Sequence, residues 1–109
     1  MLGIGTTNPQ NKLDVCGIVR ADEILVEDSW CDFVFEPEYC LTTLEEEEQF
    51  IKLYGHLSNF ESAKAMNGEI NVNDIFKRQQ IQIEENVLHL IELNEAVSYT
   101  HLRAHETLR

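Results

Sequence analysis

Residues 74–97 read DIFKRQQIQIEENVLHLIELNEAV, a stretch with neither glycine nor proline. Phe76, Ile83, Leu90 and Val97 recur every seven positions, the period of helices that wind around one another. The intervening core positions can be taken as Gln80, Val87 and Asn94, or as Gln79, Asn86 and Leu93. Either choice places polar residues in the seam, which lowers stability but can set register and strand number. The spacing therefore predicts a coiled-coil helix over residues 73–96, about 35 Å long at 1.5 Å per residue. Asn73 is the expected N-cap, and Phe76, Ile83, Val87, Leu90 and Leu93 are the expected oligomer seam. The competing expectation is a helix that packs on its own domain.

Upstream of this helix the chain changes character. In residues 1–36 the segment LGIG is a short apolar step and TTNPQN is a turn cluster. KLDVCGIVRADEILVED then alternates apolar and polar for several positions. Leu13 and Val15 share one face, while Ile18, Ile24 and Val26 share another, so strands are expected. Gly17 interrupts the pattern and suggests a bulge or a close backbone approach. Trp30, Phe33 and Phe35 follow, and Pro37 ends any central strand. Residues 37–72 are expected to hold a helix and an irregular connector. Thr43 and Glu46 form a capping-box pair, Glu45 to Glu48 favour the helix start, and Gly55 suits a left-handed stop. The four-glutamate run lacks the alternating pattern of a calcium loop and is expected to be a solvated helix start. One further helical turn is expected around ESAKAM before Gly68.

Composition narrows the function. The chain has 109 residues, 43% of them hydrophobic, which is too many for a disordered tail. With 8 basic and 20 acidic side chains its formal charge is −12. That balance argues against nucleic acid or an anionic membrane as a partner, since phosphate neutralisation needs clustered Lys and Arg. No run approaches the roughly 18 apolar residues needed to span a bilayer. The opening residues lack the basic region and apolar core of a signal peptide. Cys16, Cys31 and Cys40 match no metal or redox spacing and are expected to be buried free thiols. His56 has no local nucleophile signature beside it and is expected to be packed or at the surface.

The segments GIGTTNPQNKLDV (3–15), Gly17 and VRADEI (19–24) resemble a stretch found in phage tail-fibre and tail-fibre-like bacterial proteins. DFVFEPEYCLTTLEEEEQFIKLYGHL (32–57), SAK (62–64) and IEENVLHLIELN (83–94) are similar to C-terminal regions of such proteins from Bacteroidetes. The resemblance implies an α+β chain in which a β-rich fibre stem, 1–36, leads to a small helical cap. It implies a homotrimer, on a virion tail fibre or a bacterial cell surface. Where the family has a proline-rich turn, this chain reads HLSNFESA, so Ser58 and Glu61 are expected to loosen the connector. Some relatives carry a self-cleaving chaperone, but Ser29, Ser58, Ser62 and Ser98 lack a matching lysine. Catalytic residues, cofactors and metal ligands are therefore not expected.

Val97 to Arg109 differ from what precedes them, holding two of the four histidines and two of the eight Lys and Arg. VSYTHLRAHETLR looks like translated read-through of a sequencing-library adaptor, so residues 97–109 are expected to be an artefactual tail. On that expectation His101 and His105 are no metal pair, and Met1 is an internal position of a longer protein. The expected function is a structural module that drives homotrimer assembly and caps the stem. A receptor- or glycan-binding tip displaying Tyr39, Tyr54 and Phe60 is the alternative, and a self-cleaving chaperone comes third.

Overall fold

The computed structural model describes residues 1–30 and 32–107, with side chains up to residue 102. Its elements in chain order are β1 (Leu2–Ile4), β2 (Leu13–Val15), α1 (Leu44–Tyr54), α2 (Ala63–Met66) and α3 (Val72–Thr107). The chain is α+β and elongated, 78 × 32 × 27 Å, with a radius of gyration of 21.4 Å. A compact domain of this length would have a radius of about 13 Å. The difference comes from α3, whose 36 residues extend about 54 Å.

β1 and β2 pair in parallel, Leu2 with Leu13, Gly3 with Asp14 and Ile4 with Val15. Parallel neighbours ordinarily need a crossover of about a dozen residues or more. Here residues 5–12 suffice, because the turn cluster doubles back sharply. The Asn8 amide donates to Thr6 Oγ1 at 3.2 Å, and the Gln10 amide donates to Asp14 Oδ2 at 3.0 Å. Gly5 makes the reversal possible. Its φ is +76°, and a Cβ at that position would lie 2.5 Å from the Cys16 carbonyl oxygen.

The strands stop at Val15, well short of the alternation that runs on to Val26. From Gly17 to Trp30 no backbone group bonds to another among the described residues. Ile18 is 98% exposed, and Ile24, Leu25 and Val26 are exposed too. Alternation prepares a strand for a partner, and the single chain supplies none. Gly17, expected to mark a bulge or close approach, has open space where a side chain would go. Beyond it, Phe33 to Tyr39 fold into two successive turns, with Glu36 N bonded to Phe33 O and Tyr39 N to Glu36 O. The turns bring the Phe33 and Tyr39 rings to 5.7 Å. Val34 between them is 2% exposed and is the single buried hydrophobic residue among those described.

α1 begins and ends as its sequence dictates. Thr43 Oγ1 accepts from the Glu46 amide at 3.1 Å, and Gly55 closes the helix at φ +75° with its amide on Ile51 O. α2 is capped by Ser62, whose hydroxyl accepts from the Ala65 amide. Two corrections concern α3. Its N-cap is Asn71, whose Oδ1 accepts from the Asp74 amide; Asn73 instead uses its side chain elsewhere. And the helix does not end at 96, because VSYTHLRAHET offers no residue that would stop it. The cysteine expectation also changes. Cys16 and Cys40 are free but exposed, for the chain has too little interior to hide them; Cys31 lies outside the described residues.

A candidate assembly surface on the long helix

α3 has two unlike sides, and the more polar one is turned inward. Lys77, Ile81, Glu84, Glu85 and Leu88 lie along one side and are buried or half-buried, with Lys77 bonded to Asp28 and Glu85 to Tyr39 and Asn59. Glu84 and Glu85 are only 8% and 7% exposed. Tyr39 donates its hydroxyl to Glu85 Oε1 at 2.5 Å, and Asn59 Nδ2 donates to Gln82 Oε1 at 2.8 Å and Glu85 Oε2 at 3.2 Å. Burial, then the bond to the Glu85 carboxylate, pushes the Tyr39 phenol up to about 12. Both oxygens of Glu85 are thus satisfied. Glu84 is not: Oε1 accepts from Gln80 at 3.2 Å, while Oε2 is buried without a hydrogen-bond partner.

Arg78 ties down the next stretch. Its Nη1 donates to Asn59 O at 3.1 Å, and Nε meets Asp74 Oδ2 at 3.0 Å. Ser58, expected to loosen the connector, holds it instead. Its amide and hydroxyl donate to the two oxygens of Glu47 on α1 at 2.9 and 2.6 Å.

At the N-terminal end of α3, Asp28 is held from three directions. Lys77 Nζ lies 2.6 Å from Oδ2, the Asn73 side-chain amide donates to the same oxygen, and the Ser29 amide donates to Oδ1 at 2.7 Å. The Lys77 bond first, then those from Ser29 and Asn73, hold this carboxyl down at about 2.

The opposite side of α3 is apolar and open. Phe76, Ile83, Val87 and Leu90 line it, with Leu93 at its edge and Val72 and Val97 extending it. The five expected seam residues are between 42% (Val87) and 61% (Leu90) exposed. Leu90 and Leu93 also wall a shallow groove with Leu44 of α1, Asn86 and His89. From Leu90 to Leu102 every residue is exposed. An isolated helix of that length is marginal in water, and this half of α3 is exposed along its described side chains.

Other sequence-level candidates disperse. Tyr39 is half-buried and committed to Glu85, Phe60 is half-buried, and Tyr54 is exposed against the Phe50 ring at 4.6 Å. The His56 ring stands edge-on to Phe50 at 5.3 Å and its Nδ1 is 2.8 Å from Leu57 O. The Ser29 amide bonds to Asp28, the Ser58 hydroxyl to Glu47 and the Ser62 hydroxyl accepts from the Ala65 amide. Among the described residues no three His, Cys, Asp or Glu groups come together to hold a metal ion, and no helix is long and apolar enough to cross a membrane. His101 is exposed; the His105 side chain lies outside those described. Sequence reasoning missed the inward side of α3. Ile81 and Leu88, seven apart and flanking the two glutamates, were the available signal for it.

No family model matches this chain, and neither a curated protein nor a solved structure is significantly similar to it.

Proposed function

We propose that this chain is the assembly and end-capping module of a fibrous protein, acting as a homotrimer whose seam is the open side of α3. The fibre would belong to a phage tail or a bacterial cell surface. The observation that carries this reading is the inversion of α3. Its inward side buries two glutamates, while Phe76, Ile83, Val87 and Leu90 on the opposite side face solvent. A helix serving one small domain would present its apolar stripe to the core.

Areas support the same reading. The chain exposes 9723 Å², where a compact monomer of 12.6 kDa would expose about 6,200 Å². The surplus of roughly 3,500 Å² exceeds the ~800 Å² that each partner contributes to a standard interface. A cyclic trimer gives every copy two such interfaces, which accommodates more of it than a dimer. Three identical chains of charge −12 repel one another, so added salt strengthens the association.

Sedimentation equilibrium of the full chain tests the proposal. The expected mass is three chains, and Ile83→Asp, which sets a carboxylate in the seam, should return a single-chain mass. A well-folded monomer from the unaltered chain would end it.

A further inference from the structure

We infer that the contact of Asp28 with Lys77 and Asn73 is a register joint, through which α3 aligns residues 18–26 so that they pair as β-strand with the same segment of neighbouring copies. This inference rests on the homotrimer just proposed and adds how the helices instruct the stem.

Three observations carry it. First, residues 17–30 leave their backbone groups without backbone partners among the described residues, and Ile18, Val19, Ile24, Leu25 and Val26 are exposed. A run of open amides and carbonyls with a β-branched, apolar sequence is a template for strand addition. Second, the segment does not drift free of the helix. Its C-terminal end is fastened by the 2.6 Å Lys77 contact and by the Asn73 amide. Asn73 and Lys77 flank Phe76, the first residue of the open stripe. When parallel copies of α3 associate along that stripe, each Asp28 is carried to the same height on the flank of its own helix. The segments then leave the bundle side by side in one direction, which removes most of the entropy cost of finding a register. Third, parallel pairing is already the habit of this stem, in the Leu2–Leu13 to Ile4–Val15 register.

The occupant of the open edge is thus a second copy. Identical strands in register set like charges opposite each other, a cost at Asp22, Glu23 and Glu27. Arg20 and Asp22 lie on the same side of the strand and one step apart, so diagonal neighbours bring opposite charges within reach.

Hydrogen exchange read by mass spectrometry, on the full chain at a concentration where its mass is known, tests the joint. In the oligomer, amides 18–26 should exchange at least about tenfold more slowly than in an unstructured peptide. Asp28→Ala should leave the mass at three chains and return those amides to unstructured rates. The exchanged pair Asp28→Lys with Lys77→Asp should restore protection, since Asn73 can turn its amide oxygen toward the new ammonium. Unprotected 18–26 in the unaltered oligomer would overturn the joint while leaving the α3 seam standing. Protection that survives Asp28→Ala would overturn it equally, as would failure of the exchanged pair to recover. A single-chain mass for the unaltered protein would remove the seam and the joint together.

Discussion

Tyr39 reaches 46 positions along the chain to donate its hydroxyl to Glu85 at 2.5 Å, and this bond turns the polar side of α3 inward. A glutamate that is 7% exposed needs hydrogen-bond donors to remain in place. Tyr39 and Asn59 are those donors. With them the connector settles over Glu85, and the side bearing Phe76 and Ile83 is left outermost. In this chain a polar contact decides which apolar side is free.

Replacing Tyr39 by Phe should cost about 1–3 kcal/mol, the usual penalty for stranding one partner of a buried hydrogen bond. Urea denaturation monitored at Trp30 would measure it. The phenol also predicts a pH dependence. Its value rises from 10.0 to about 12 in the fold, so its contribution is complete below pH 10 and disappears as pH climbs through 12. Tyr39→Phe should flatten that alkaline loss; an unchanged profile would remove Tyr39 from this role.

Asp28 works in the opposite sense. Its carboxyl is lowered from 3.8 to about 2, so the contact with Lys77 is at full strength above pH 4 and fades as pH falls toward 2. The protection factors of amides around Ser29 and Asn73 should fall across that window. Asp28→Asn should abolish the transition, and a transition that persisted would place its origin in another carboxyl group.

Glu84 is a site where a substitution should stabilise. Its Oε2 is buried without a partner, and a buried unpaired carboxylate is costly. Glu84→Gln keeps an oxygen for Gln80 and discards the charge. Thermal melts at fixed protein concentration should show a midpoint several degrees higher, on the order of 1 kcal/mol. A lower midpoint would mean that Glu84 meets a cationic partner on another chain.

Gly5 should tolerate no side chain. Ala there combines φ +76° with a Cβ 2.5 Å from the Cys16 carbonyl oxygen, and the left-handed conformation by itself costs about 1–2 kcal/mol. Gly5→Ala should expose the paired strands β1 and β2 to proteolysis and leave the helicity of α3 unaltered. Gly55→Ala makes a useful comparison. Its surroundings are open, so only the conformational cost applies and the loss should be smaller.

Much of the local structure was legible in the amino-acid order. Thr43 and Gly55 bound α1, Ser62 starts α2, and the run from 74 to 97 is helical because nothing in it breaks a helix. These are choices made within a few residues, by caps, by φ restrictions and by the absence of Gly and Pro. The stripe of Phe76, Ile83, Val87 and Leu90 was legible for the same reason, since seven-residue spacing places side chains on one side of any helix. Alternation at 18–26, by contrast, did not become strand in this chain, because strand formation depends on a partner that local sequence does not contain.

Amino-acid order alone fixed where α1 begins and ends, what α3 displays, and that the molecule is too apolar to be disordered yet too short to bury much alone. Which side of α3 is covered, that Ser58 fastens the connector to Glu47, and that Asp28 meets Lys77 across 49 positions emerge only in the folded chain. Caps and periodicity are written in neighbouring residues. Contacts between distant residues depend on how the intervening chain folds back, and the bonds from Tyr39 and Asn59 to Glu85 are of that kind.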